Sequence, residues 1–275
     1  RSSGEGSVVD LTALLSLDAG LALYADSGGT IVAPNLAEVT GNVSVLSGSS
    51  LSLPGATTLA AQTMNVNGLL TLPALTSLAD SVINVSETGT LSLPELMTIS
   101  GTNVTLNGSG VLEAPKLASM TGAANGTRYI SVSTDSEFNA PLLTSLNNVR
   151  LFAASGAALI LPALTDFTFD VSCGEQIIGS SGVRPSDGEP SLVSLPVLDA
   201  MSYITPNGCG GFSIWASGGG AVEIPALTSV TLNPANPYDH SFRSSGAGSM
   251  MDLSALPGLD PGLSLYIEGG GALVA

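Results

Sequence analysis

The chain has 275 residues, of which 44% are hydrophobic and only 10% charged, with 33 Gly and 16 Pro. Six basic residues against 22 acidic ones give a net charge of −16, the wrong sign for nucleic acid or an anionic membrane surface. No run of 18 apolar residues occurs, so no membrane-spanning helix is expected, and Ser, Thr, Asn and Gly supply the polar surface, as in exported surface proteins. The chain lacks an initiating Met and a secretory signal, and is expected to be a mature or excised segment.

The elements recur in chain order. VVDLTALLSL (8–17) aligns with VEIPALTSV (222–230), with Thr12 where Pro225 stands, so the first coil is expected to begin near Val8. IVAPNLAEV (31–39) opens the second. Regular coils follow as LSLPGATTL (51–59), LTLPALTSL (70–78), LSLPELMTI (91–99) and VLEAPKLASM (111–120), with Pro54, Pro73, Pro94 and Pro115 spaced by 19, 21 and 21 residues. Alternation puts Leu91 and Leu93 on one face and Ser92 on the other. Pro has no donor and belongs at a corner beyond the strand. Between one Pro and the next lies a second short strand, such as VINV (82–85) or NVTL (103–106), and a Gly/Ser turn. A unit this short buries its apolar face only by stacking on copies of itself. A leucine-rich-repeat horseshoe would need a fixed interior Asn and a helical back, and neither is present.

The expectation is an all-β, single-stranded parallel β-helix of ten to eleven coils of roughly 21 residues, right-handed because its coils exceed those of hexapeptide helices. FNAPLLTSL (138–146) and LILPALTDF (159–167) continue the pattern. Beyond residue 170 it loosens: Pro162 to Pro196 is 34 residues, and the next two intervals, to Pro225 and to Ser254, are 29 each. The surplus is expected in loops near 173–190, 203–213 and 232–248.

A longer period is superimposed. Residues 1–33 realign without a gap on 243–275, with 20 of 33 pairs identical at an offset of 242. Residues 1–275 thus read as one continuous solenoid, 1–242 as one long unit and 243–275 as the opening of its successor. Ten coils between Thr12 and Ser254 imply an axial rise of roughly 48 Å per long unit.

Few residues offer chemistry. Cys173 and Cys209, the only cysteines, fall in successive coils and are expected to form a disulfide in an oxidising compartment. With two Cys and one His, no metal centre is expected. Asp187, Glu189 and Asp26 are the calcium candidates, but no complete ligand spacing surrounds them. His240 reads as a loop residue without a role. Asp166 and Asp170 stand about 13 Å apart along a strand, too far for a glycosidase pair. Asn42, Asn84, Asn103, Asn107 and Asn125 occupy sequon patterns and read as turn or ladder residues. Seven of the twelve aromatics lie between 167 and 242. They either fill wider coils or form a ligand or partner patch, with Phe212, Trp215, Tyr238 and Phe242 as its candidates.

The LSLPELMTI and LTLPALTSL phrases resemble repeats of bacterial right-handed parallel β-helix surface and adhesin-type proteins, and are similar to receptor L-domain coils. The resemblance implies architecture and carries no catalytic residue. The expected function is therefore structural and non-enzymatic: an extracellular or cell-surface segment that stacks end to end on other copies as a filament, sheath, stalk or adhesin shaft. The alternative is a glycan-binding adhesin, or a polysaccharide-degrading β-helix enzyme, using the 171–245 loops. Such lyases need clustered basic residues, whereas Arg1, Lys116, Arg128, Arg150, Arg184 and Arg243 are scattered. No cofactor is expected.

Overall fold

A computed structural model describes residues 1–60, 63–123, 126–170, 176–204, 211–234, 238–259 and 262–275. They form an all-β parallel β-solenoid of about 11 turns of about 22 residues, and no described residue is helical. Two compact units are distinguished, residues 1–119 with 135–141, and residues 120–134 with 142–275.

One regular turn of the first unit shows how sequence becomes coil. Val82–Val85 points Ile83 and Val85 inward and Asn84 outward, and Thr90–Ser92 repeats the alternation around Leu91. The Leu93 N–H still donates to the Glu113 carbonyl of the following coil, at 2.8 Å. Pro94 then ends the ladder. It takes the second place of a four-residue turn closed by the Leu96 N–H on the Leu93 carbonyl at 3.2 Å, a position that suits its fixed φ. Both leucines of this Leu-Pro-x-Leu corner are fully buried. The chain next enters Thr98–Ser100 before the following turn begins at Asn103–Leu106.

Each regular turn thus has three strands, where two are expected from sequence. The third, after the Pro corner, is only two or three residues long and too short to display alternation. In the first unit the three parallel sheets contain Ser2–Ser3 to Asn103–Leu106, Val8–Asp10 to Glu137–Asn139, and Ser16–Leu17 to Thr98–Ser100. Like residues stack: Met64 pairs Ile83, Leu70 pairs Leu91 and Leu78 pairs Ile99. In the second unit the corresponding sheets run from Arg128–Ser133 to Leu263–Glu268, from Ala158–Ile160 to Ala272–Val274, and from Ser145–Asn147 to Ser229–Leu232.

Two corners lack proline, and each compensates. Thr12 and Ser254 retain an N–H where other coils have Pro, and the carboxylate two residues earlier accepts it: Asp10 at 2.8 Å and Asp252 at 3.0 Å. The Thr12 hydroxyl and N–H together hold the Asp10 carboxyl below its ordinary range.

Two expectations about boundaries are corrected. The first coil begins before Val8, because Ser2–Ser3 already pairs with Ala25–Asp26. The expected loops at 173–190 and 232–248 contain the strands Gln176–Ser181 and His240–Ser245. Every turn must contribute a strand to the first sheet, so surplus residues divide around it. Proline spacing measures the surplus but cannot locate it.

Candidate functional site

The outward face of the first sheet in the second unit carries the most distinctive surface. Ser213–Ser217 buries Ile214 and Ala216, which turns Ser213, Trp215 and Ser217 outward. By strand register, Phe152, Gly179, Trp215, Arg243 and Tyr266 form one column across successive coils. Ser213, Ser241 and Ser264 flank it on one side, and Ser181, Ser217, Ser245 and Glu268 on the other. A Cβ on Gly179 would come within 2.5–2.7 Å of Cε2, Cζ2 and Nε1 of Trp215, so the indole lies face-on over the glycine. That close approach accounts for glycine inside a strand. The Arg243 guanidinium sits 5.3 Å from the Tyr266 ring centre and 3.7 Å from a Glu268 oxygen. A shallow depression of about 180 Å³ lies among Ser213, Trp215, Arg243 and Ser245.

This is not the patch expected from sequence. Phe212 and Phe242 are core residues at 1% exposure, each occupying an inward position of its coil. Phe212 packs against Tyr203, His240 and Phe242 at ring-centre distances of 5.2, 5.0 and 6.0 Å, and Phe167 meets Phe169 edge-on at 5.4 Å. These rings fill the enlarged coils. Of the four candidates, Trp215 reaches the outer face and Tyr238 is exposed. Phe152 and Tyr266 escape a search for local aromatic clusters because they are distant in sequence, and Arg243 escapes it because it is not aromatic. Aligning outward positions of successive coils would have found them.

His240 is also a core residue, opening the strand His240–Ser245 at 2% exposure. Its Nδ1 accepts the Phe212 N–H at 3.0 Å, which places the imidazole proton on Nε2. Burial lowers its pKa, and nearby Asp239 opposes that shift without reversing it. Below the ordinary imidazole value of about 6.5, the unfolded chain takes up a proton that the folded chain resists. The contribution of His240 is therefore complete above that pH and declines as the pH falls below it. Urea midpoints at about pH 7.5 and about pH 5.5 are expected to fall with acidification in the native sequence. In His240→Asn, which retains an acceptor but does not titrate, the fall is expected to be smaller.

The remaining candidates have structural partners. Asp166 accepts from the Ser145 and Thr168 hydroxyls at 2.9 and 3.1 Å, and Asp170 accepts from the Asn148 amide at 2.7 Å. Asp187 receives Arg184 at 3.1 Å and the Glu189 N–H at 3.1 Å, and its pKa is lowered, chiefly by the latter. Asp26 is buried and accepts Arg1 at 2.5 Å, with hydrogen bonds from Ser3 and Arg1 lowering its pKa. Among the described residues no group of three or more His, Cys, Asp or Glu could hold a metal ion, which leaves the calcium candidates Asp26, Asp187 and Glu189 unassembled. Asn84 donates to Asn65 of the preceding coil at 2.9 Å, a ladder contact. Cys173, Cys209 and Asn125 lie outside the described residues.

Residues 1–33 and 243–275 share a set of local contacts. The Ser2 and Ser244 hydroxyls donate to the carbonyls of Ser7 and Ser249, at 3.1 and 3.2 Å. The Ser7 and Ser249 hydroxyls in turn donate to the carbonyls of Ser3 and Ser245, both at 2.7 Å. Arg1 lies 5.1 Å from the Tyr24 ring centre and pairs with Asp26, matching Arg243, Tyr266 and Glu268. Burial differs between the copies. Leu23 and Ala25, covered by the strand Asn42–Val45, are 4% and 0% exposed, whereas their equivalents Leu265 and Ile267 are 37% and 53% exposed.

No protein-family model matches this chain, and no curated protein or solved structure is significantly similar to it.

Proposed function

We propose that this chain is a structural, non-enzymatic segment of an extracellular filament, sheath, stalk or adhesin shaft, assembled by continuation of its coils from one long unit into the next. The contact network shared by 1–33 and 243–275 carries this reading. In the first copy, the coil formed by Asn42–Val45 and Ser50–Ser52 lies over Leu23 and Ile31. The same segment of another unit would lie over Leu265, Ile267 and Leu273, placing Leu265 against Val43 and Leu273 against Leu51. The occupant is thus another long unit, in the same chain or in a second copy. Parallel backbone bonds set the register, and apolar burial supplies the driving force.

In an oxidising exterior, a Cys173–Cys209 disulfide would link successive coils. The scarcity of ionisable groups, with charged residues only 10% of the sequence, favours load-bearing over catalysis.

Electron microscopy of the native assembly, compared with two variants, tests the proposal. Ile267→Lys would place an unpaired ammonium in the seam and is expected to shorten or abolish fibres. Ser264→Lys, on the outward side of the same strand, is expected to leave them intact. Fibres unaffected by Ile267→Lys would contradict this junction.

A further inference from the structure

We propose that the outward column centred on Trp215 is a binding platform for a neutral, extended glycan. Sugar rings present apolar C–H faces and hydroxyl edges, so their sites combine exposed aromatic faces with closely spaced hydrogen-bonding groups. This face supplies both. Gly179 lets the Trp215 ring lie against the sheet, and the partly exposed indole borders the depression formed with Ser213, Arg243 and Ser245. Tyr266 stands two coils further along the same column, and Phe152 two coils before it. With coils about 4.8 Å apart, an aromatic ring recurs roughly every 10 Å. The Ser213–Ser241–Ser264 and Ser181–Ser217–Ser245 columns place hydroxyls on both sides at single-coil spacing.

Charge narrows the ligand class. The flanking columns carry hydroxyls rather than lysines, Arg243 is already beside Glu268, and the whole chain has a net charge of −16. A polyanion would be repelled, leaving a neutral glycan. The first unit provides a contrast. Its Arg1–Tyr24 pair is followed in the same outward column by Ser44, Asn65, Asn84 and Thr105, with no second aromatic ring. The Arg–Tyr pair alone therefore does not make the platform. The platform is independent of end-to-end assembly, because its residues face outward and the seam residues face inward.

Trp215 is the only tryptophan, so its emission reports on this face alone. The experiment titrates the intact chain with cellohexaose, chitohexaose and laminarihexaose, using polygalacturonate as the anionic contrast. At least one neutral hexasaccharide is expected to change the emission saturably, with a Kd tighter than about 1 mM. Tyr266→Ala is expected to weaken that binding about five- to ten-fold without changing the circular dichroism, while Tyr24→Ala leaves it unchanged. No saturable change with any neutral hexasaccharide would overturn the proposal, as would equal binding by Tyr266→Ala or preference for polygalacturonate. Emission that depended on protein concentration alone would assign the face to a second copy of the chain, and would also overturn it.

Discussion

Removing residues 70–90 is expected to leave a folded protein one coil shorter, whereas removing residues 70–79 is expected to abolish cooperative folding. The first deletion takes out 21 residues, the register between consecutive coils: Leu69 pairs with Thr90 and Leu70 with Leu91. Joining Leu69 to Leu91 therefore re-forms a second-sheet strand in place. The third-sheet strand Thr98–Ser100 then falls over Thr58–Leu59, and Asn103–Leu106 falls over Met64–Val66. Each apolar column still meets apolar residues, with Leu59 against Ile99, Met64 against Val104 and Val66 against Leu106. Solenoid stability is a sum of coil and interface contributions, so one coil fewer should lower the denaturant m-value by about one part in eleven. The ten-residue deletion leaves half a coil that cannot span all three sheets. It uncovers Leu51, Leu59, Leu91 and Ile99 together, and its cost is expected to exceed about 5 kcal/mol. Urea unfolding followed by circular dichroism checks both. Global unfolding of the 21-residue deletion would contradict the coil boundaries.

Gly89→Val is expected to cost about 3 kcal/mol or more, through overpacking against backbone. A Cβ at Gly89 would lie 2.1 Å from the Val66 carbonyl oxygen and 2.9 Å from Asn67 Cα. Neither atom belongs to a flexible side chain, so the coils themselves must separate. That movement strains the neighbouring bond from the Thr90 N–H to the Gly68 carbonyl, at 2.8 Å. Gly68 and Gly110 occupy the same corner, with carbonyl oxygens 2.3–2.7 Å from the position a Cβ would take. Gly258 meets nothing within 4 Å, and Gly258→Ala is expected to change stability by less than about 0.5 kcal/mol. The urea midpoints of the two variants give the comparison, and similar values would contradict the proposed coil-to-coil contact.

The coil was legible in the sequence because its strongest signals are local. Leu91, Leu93 and Pro94 sit close enough that alternation and a missing donor fix a strand and the corner ending it. The strand Thr98–Ser100 was not legible, because one buried residue, Ile99, does not make a period. The small-residue corner at Gly68, Gly89 and Gly110 is visible only once each glycine is recognised as preceding a second-sheet strand. Phe212 and Phe242 look like surface candidates because they lie near long loops, yet Phe242 stands at an inward position of its strand and Phe212, just before the strand Ser213–Ser217, is equally buried. His240 was obscured in the same way, since the sequence shows its loop-like neighbours and not its bond to the Phe212 N–H. The Trp215 column required the register of five strands, including Gly179, whose role depends on a side chain 36 residues away. Position 12 was half legible: the sequence shows Thr12 replacing proline, while the structure shows Asp10 taking the N–H that proline would have removed.

Under the proposed function, long units continue one another along a single axis. A power spectrum of native fibres, recorded by electron microscopy, tests it most directly. A meridional reflection near 4.8 Å from stacked coils, with an axial repeat near 48 Å from ten coils per long unit, is the expected result. Discrete rods, or fibres whose axial repeat is unrelated to ten coil spacings, would contradict it.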